Sequence, residues 1–173
     1  MSTLKVDNIT NYAGTGSPDF ANGLQISSPS VVHVDIGNGF GSTNIKIRRF
    51  TTVVTNTGSD ITYADSATLG GSFTINTDGI YAITYTDRKN SGGFELMGVT
   101  VNGDGTASIN NQLGNSRGHT SVDPANSPDM TVTMITKLSN GDVVRPHVQL
   151  SDGAYSLQAT GRNRFQIILL YKT

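Results

Sequence analysis

The residues that could do chemistry in this sequence are few and widely separated. The three histidines, His33, His119 and His147, lie far apart in the chain, and none has a neighbour at metal-ligand spacing. A metal or catalytic site needs several groups that converge on one point. We therefore predict no catalytic or ligand role for these histidines, and we expect His147, which follows Pro146 in an alternating segment, to be an ordinary sheet side chain.

A string of oxygen-bearing side chains follows residue 101. Asn102, Asp104, Thr106 and Ser108 occupy alternate positions, as the ligands of calcium loops do. The position at which a bidentate Glu would close such a loop is Leu113. The pattern therefore predicts a turn-rich loop and no cofactor, with a bound calcium ion as the alternative that the sequence leaves open.

Two other patterns fail as catalytic motifs. Residues 37–41, Gly-Asn-Gly-Phe-Gly, lack the Lys and the following helix that a phosphate-binding loop requires. Asp123 and Asp129 lie in a proline-interrupted segment that cannot fix a carboxylate pair. No His-Glu-x-x-His motif occurs. The sequence therefore predicts a protein that is not an enzyme.

Aromatic residues among polar loops support an alternative function. Exposed rings can stack on sugars while neighbouring Asn, Asp and Ser side chains bind the hydroxyl groups. Such rings are more often part of a core. We keep a lectin-like carbohydrate-binding module for host-surface glycans as the alternative. Its candidate residues are Tyr63, Tyr81, Tyr85, Phe94 and Tyr155.

The composition restricts the class of protein. The 173 residues suit one domain, and 20 Gly with only 14% charged residues favour strands and turns. A net charge of −1 argues against binding to nucleic acid or to an anionic membrane, so we expect the Arg48-Arg49 pair to be a solvated strand edge. The absence of Cys excludes disulfides. No signal peptide and no apolar run of about 18 residues is visible.

The elements of the chain follow a period of two. From Phe73 to Tyr85 apolar and polar residues alternate on either side of Asp78-Gly79, which predicts a β-hairpin with Gly79 at the turn. Similar short segments recur along the chain, and residues 104–129 are predicted to form a loop. Such spacing predicts an all-β protein, an antiparallel sandwich or jelly roll. The other predicted strands begin near Val31, Ile45, Phe94, Met130, Val144 and Tyr155.

The last predicted strand, Phe165–Tyr171, is apolar at almost every position. A strand of this composition has both faces covered, but only one face of a sandwich strand meets the core of its own molecule. We therefore predict that another copy of the chain covers the second face. The predicted interface residues are Phe165, Ile167, Leu169, Leu170 and Tyr171.

Three segments carry a resemblance to a known family. They are Phe73 and Ile75 with Gly79, Tyr81 and Ile83, then residues 138–144, then Phe165 with residues 168–171. In this order they resemble the globular heads of complement's first component and tumour-necrosis-factor-like domains, over residues 45–173. The resemblance implies a ten-strand jelly roll that assembles as a homotrimer with its last strand near the threefold axis. The long 104–129 segment and the lack of a collagen-like stalk depart from the animal members.

Residues 1–27 form a predicted N-terminal arm without a core of its own, because glycine and proline interrupt it repeatedly. It contains Leu4-Lys5-Val6-Asp7 and Ile9, followed by Gly14-Thr15-Gly16-Ser17-Pro18, Phe20 and Gly23. This string resembles an N-terminal segment of tail fibres and other virion appendages of tailed bacteriophages. The resemblance implies a virion structural protein, a fibre or a capsid decoration protein, with a head over residues 28–173. The arm would join other virion proteins through its apolar side chains, Leu4, Val6, Ile9 and Phe20.

Overall fold

The computed structural model describes residues 29–88, 95–107, 109, 116–122, 129–149 and 163–173. These residues form two facing antiparallel sheets, and no helix in the described ranges could cross a membrane. The strands are β1 (Val31–Phe40), β2 (Arg48–Thr57), β3 (Ile61–Ser66), β4 (Gly70–Ile75), β5 (Gly79–Arg88), β6 (Glu95–Val101), β7 (Ser116–Val122), β8 (Asp129–Leu138), β9 (Val143–Val148) and β10 (Arg164–Lys172).

The strand order shows a jelly-roll sandwich. The first sheet has the order β2-β1-β10-β5-β8, and the second has the order β3-β4-β9-β6-β7. The chain changes sheet six times, so segments that follow one another in sequence often lie on opposite sides of the core. The changes occur between β2 and β3, β4 and β5, β5 and β6, β7 and β8, β8 and β9, and β9 and β10. The predicted all-β fold class is confirmed.

The core lies between the sheets and is built from the alternation that the sequence shows. Successive strand residues point to opposite faces, so Tyr81, Ile83 and Tyr85 of β5 are fully buried while the residues between them face outward. Aromatic rings join the layers: the Phe73 ring of the second sheet stacks on Phe165 of the first with 4.3 Å between centroids. The two faces therefore interlock around β10 and β5.

The predicted hairpin between Phe73 and Tyr85 is wrong. β4 pairs with β3 and β9 in the second sheet, whereas β5 pairs with β10 and β8 in the first. The Asp78-Gly79 corner is real, but it carries the chain from one sheet to the other. A turn signal reports local backbone preference, and the partner of each strand is decided by packing across the whole sandwich.

Gly79 is needed because another strand lies close to it, and not because of a positive φ. The glycines with positive φ in the described ranges are Gly39, Gly58, Gly70 and Gly141. At Gly79 an added Cβ would lie 2.6 Å from Leu169 Cδ1 and 2.7 Å from the Tyr171 carbonyl oxygen. The glycine therefore allows β10 to approach the corner.

We expect Gly79→Val to destabilise the protein by more than about 1 kcal/mol, because the clash involves backbone as well as side chain. Gly141→Asn is the matched control, since Gly141 has open space around its missing Cβ and Asn tolerates positive φ. Melting curves of both variants measure the difference. A smaller effect at Gly79 than at Gly141 would contradict the close approach.

Further predictions from the sequence are either wrong or concern residues outside the described ranges. Residues 37–39, Gly-Asn-Gly, have the composition of a turn, but β1 continues through them to Phe40 with a register shift. The expected loop over 104–129 contains β7, whose polar sequence Ser-Arg-Gly-His-Thr-Ser-Val shows no apolar alternation. The predicted strand near Tyr155 and the arm over 1–27 lie outside the described residues.

Candidate functional site

The outer face of the first sheet carries an apolar surface centred on β10, which we call the β10 patch. Cross-strand pairing places Val31, Ile168, Ala82 and Ile135 side by side across β1, β10, β5 and β8. All four are at least partly exposed, and Ile135 exposes 67% of its surface. The patch consists of Val31, Ile80, Ala82, Ile135, Ile168, Leu170 and Tyr171.

A bulge near the end of β10 enlarges this patch. The register with β5 shifts between Leu169 and Tyr171, so that Tyr171 pairs with Ile80 and Leu170 is the extra residue. Leu170 and Tyr171 are consecutive and still both face solvent, with 48% and 59% of their surfaces exposed. The bulge therefore adds two large apolar side chains where regular alternation would add one.

The patch has a polar border. The next row of the sheet contains Thr84 and Thr133, whose hydroxyl groups lie 3.3 Å apart, and beyond it Thr86 and Thr131 at 3.0 Å. The outer face is therefore apolar at one end and polar at the other. A bounded apolar area on a polar surface is typical of a protein interaction site.

The structure divides the predicted interface residues of β10 between two environments. Phe165, Ile167 and Leu169 lie in the core of the molecule, with at most 4% of their surfaces exposed, and cannot reach a partner. Their assignment to an interface is corrected, because alternation along β10 turns them inward. Leu170 and Tyr171 remain on the outer face, and Ile168, which was not among the predicted residues, joins them.

A polar cluster holds the end of β10 beside the patch. Asp60 accepts hydrogen bonds from Thr77 Oγ1 at 2.6 Å, Ser30 Oγ at 2.7 Å and Lys172 Nζ at 2.9 Å. These contacts tie three separate segments of the chain to the bulged end of the strand. A cavity of about 430 Å³ opens here, lined by Pro29, Ser30, Asp60, Leu169, Leu170, Tyr171 and Lys172.

Acid should weaken this cluster. The hydrogen bond from Thr77, followed by those from Lys172 and Ser30, lowers the pKa of Asp60 from 3.8 to about 2. Because the folded-state pKa lies below the unfolded value, Asp60 stabilises the fold above about pH 4, and this contribution is lost as the pH falls to about 2. We expect Asp60→Asn to be less stable than wild type at neutral pH.

Denaturant titrations at several pH values measure this effect. The stability difference between wild type and Asp60→Asn should shrink as the pH falls from about 4 to about 2. A difference that stays constant over that range would show that the carboxylate charge of Asp60 does not stabilise the cluster.

A buried ion pair occupies the other end of the sandwich. Arg48 and Asp87 are both fully buried, with Arg48 Nε 3.0 Å from Asp87 Oδ2. Tyr85 donates its hydroxyl to the same carboxylate at 2.8 Å, and the Asn163 side-chain amide donates to Oδ1. Burial raises the pKa of Asp87, and the Arg48 guanidinium opposes that shift. These contacts join the ends of β2, β5 and β10.

The prediction that Arg48 and Arg49 form a solvated strand edge is therefore wrong for Arg48. Arg49 lies near the surface and pairs with Asp65 at 2.8 Å, whereas Arg48 points into the core. Alternation alone would have placed two adjacent arginines on opposite faces. The carboxylate of Asp87, 39 residues further along the chain, supplies the counter-charge at the inward position, and the Arg48 guanidinium also lies 5.2 Å from the centroid of the Phe40 ring.

The other chemical candidates have structural partners. The buried ring of His147 contacts the Thr100 hydroxyl through Nδ1 at 3.0 Å and the Ala107 carbonyl through Nε2 at 2.8 Å, and burial lowers its pKa. Asn102 donates to Asp142, and Asp104 accepts from Thr106. Within the described ranges no three His, Asp or Glu side chains group as metal ligands.

The other candidate residues lie near the surface, in β7 or outside the described ranges. His33 lies 3.1 Å from Asp35 on the surface. His119 is placed in β7 opposite Gly98. Ser108, Leu113 and Asp123 lie outside the described residues. Gly98 also pairs with His147 of β9, so the backbone register places His119 and His147 in one row on either side of Gly98.

The aromatic candidates for sugar binding do not form a platform. Tyr81 and Tyr85 are fully buried, which removes them as stacking surfaces. The Tyr63 ring packs against Phe73 with 4.8 Å between centroids, and its hydroxyl donates to the Phe50 carbonyl. Phe94 and Tyr155 lie outside the described residues.

Comparison with known proteins identifies the fold. No protein-family model and no curated protein matches the sequence. The crystal structure of murine APRIL at pH 5.0 superimposes with a TM-score of 0.61 at 14% identity, covering 83% of this chain and 100% of that chain. The fold is a tumour-necrosis-factor-like jelly roll. The structure of murine APRIL at pH 8.0 has the same coverage, with a TM-score of 0.57 at 13% identity. Likeness at this identity concerns the jelly-roll fold alone.

Proposed function

We propose that this protein is a non-enzymatic structural protein of a bacteriophage virion, a fibre or capsid decoration protein whose jelly-roll heads assemble as a homotrimer. The observation that carries the proposal is the β10 patch. Ile135, Leu170 and Tyr171 each expose about half or more of their surface to water. Burying such apolar area on assembly is favourable by roughly 25 cal/mol per Å² before the costs of association.

Two considerations support the trimeric state. The resemblance to complement-like and tumour-necrosis-factor-like heads implies threefold packing with the last strand near the axis. The apolar patch is centred on that strand, β10, and the polar rows around Thr84 and Thr86 limit it to one end of the sheet.

The N-terminal arm supplies the proposed attachment to the virion. Its anchoring residues, Leu4, Val6, Ile9 and Phe20, lie outside the described residues, so their role rests on the sequence resemblance. Pro29, the first described residue, lines the same cavity as Leu170 and Tyr171. The chain therefore enters each head beside the β10 patch. In a trimer built on this patch, the three arms would leave from one end of the assembly.

Deletion of residues 1–27 tests the attachment. We expect the truncated protein to remain a trimer with a nearly unchanged melting temperature, because β1 begins only at Val31. We expect it to be lost from purified virions. Its melting curve and its recovery on particles are measured on the same preparation. Occupancy equal to wild type would remove the anchoring role of the arm.

A further inference from the structure

β2 is an edge strand that carries neither charge nor proline over most of its length. Among the strands in the described ranges, only β1 pairs with it. Its segment 51–57, Thr-Thr-Val-Val-Thr-Asn-Thr, contains no charged residue and no proline. Val53 and Val54 at its centre expose 50% and 51% of their surfaces. Edge strands normally carry charges or proline, or stay short, because their free N–H and C=O groups can pair with another chain.

The other edge strands with described side chains differ from β2. β3 has six residues and carries Asp65, which pairs with Arg49. β8 carries the exposed charges Asp129 and Lys137. β2 has ten residues, and its charged residues are confined to its start. Charges therefore flank the central segment of β8 at both ends, whereas in β2 they lie only at its start.

A register shift concentrates the apolar character of this edge. Val34 pairs with Val53 while the preceding His33 pairs with Thr55, which leaves Val54 as the extra residue of a bulge. Both valines consequently keep their side chains in solvent. In an isolated head this arrangement buries neither of them.

We propose that β2 pairs antiparallel with β2 of a second copy of the chain, about a twofold axis at Val54. Such pairing places Val54 against itself, and Thr52 against Asn56 of the other copy. Every cross-strand neighbour in the segment is then neutral, so no like charges meet. A charged foreign peptide would gain no ion pair from these residues, which favours a second copy as the occupant. The two first sheets join into one of ten strands, within the usual limit.

This contact is separate from the trimer interface of the proposed function. β1 lies between β2 and β10, so the two surfaces occupy different parts of the first sheet. A trimer presents three β2 edges, so pairing through β2 joins trimers into assemblies larger than the trimer. It would equally join two monomers if the trimer interface were removed.

Cysteine cross-linking tests the register, and the chain has no native Cys to interfere. Opposed residues of an antiparallel pair lie about 4.5–5.5 Å apart between Cα atoms, which suits a disulfide. We expect Val54→Cys to form a covalent dimer under mild oxidation. Thr52→Cys should not cross-link to itself but should cross-link when mixed with Asn56→Cys. Absence of the Val54→Cys dimer, or equal self-cross-linking of Thr52→Cys, would overturn the proposal.

Sedimentation tests the contact without a covalent bond. The wild type should show species larger than the trimer, and their share should grow with concentration. Val54→Lys should weaken this association at least 10-fold, whereas Ala64→Lys, on edge strand β3, should leave it unchanged. A Leu170→Asp monomer, which has a single β2 edge, should still form a dimer. Absence of the larger species in the wild type, or their persistence in Val54→Lys, would refute β2 pairing and leave the trimer proposal intact.

Discussion

Replacing Asp87 by Asn is expected to lower the free energy of unfolding by about 3–5 kcal/mol, because it leaves the Arg48 guanidinium buried without its counter-charge. The substitution is nearly isosteric, so packing around Tyr85 and Asn163 changes little. Denaturant unfolding at neutral pH measures the loss. The effect should be among the largest of any polar substitution in the described residues.

The ion pair between Arg49 and Asp65 is the control for this prediction. Arg49 and Asp65 form the same kind of ion pair at 2.8 Å, but both side chains retain about a fifth of their exposure. Asp65→Asn should therefore cost no more than about 1 kcal/mol. Equal losses at Asp87 and Asp65 would show that burial does not govern the strength of the Arg48 contact.

The same substitution at two adjacent positions of β10 should have opposite consequences. Leu169 lies in the core, so Leu169→Asp buries an unpaired carboxylate and should cost several kcal/mol, enough to unfold the head. Leu170 faces outward on the bulge, so Leu170→Asp should preserve the fold of the monomer and separate the trimer. The first effect is on folding and the second is on assembly.

Melting curves and sedimentation of the two variants distinguish these outcomes. Leu170→Asp should melt as a folded monomer, while Leu169→Asp should show no cooperative transition. If the wild-type protein sediments as a monomer at micromolar concentration, the homotrimer is wrong. If Leu170→Asp remains a trimer, the interface lies elsewhere than the β10 patch.

Sequence patterns anticipated the strands better than their partners. The alternating residues of β5 were predicted correctly because the period of two is a local property of an extended chain, whereas the core-facing residues of β10 were assigned to an interface. The Asp78-Gly79 corner was also found, but its two strands were assigned to one hairpin. Partner choice depends on contacts with distant segments such as β8 and β9, which local spacing does not encode.

Some residues of the β10 patch could likewise be predicted from the sequence, and others could not. Leu170 and Tyr171 were identified because the last strand has too many apolar residues for one buried face. Ile135 and Ala82 were not, because nothing in their own segments shows that they lie beside Ile168. The bulge that turns Leu170 and Tyr171 outward together arises only from the register with β5.

The sequence by itself determined that this protein is an all-β chain whose final strand has more apolar surface than one core face can use. Only the tertiary structure decided which side chains of that strand are inside and where the chain changes sheet. It also placed the two adjacent arginines in opposite environments. The physical reason is that alternation is set within a strand, whereas burial of Arg48 and exposure of Leu170 depend on residues far away in sequence, Asp87 and the facing part of β5.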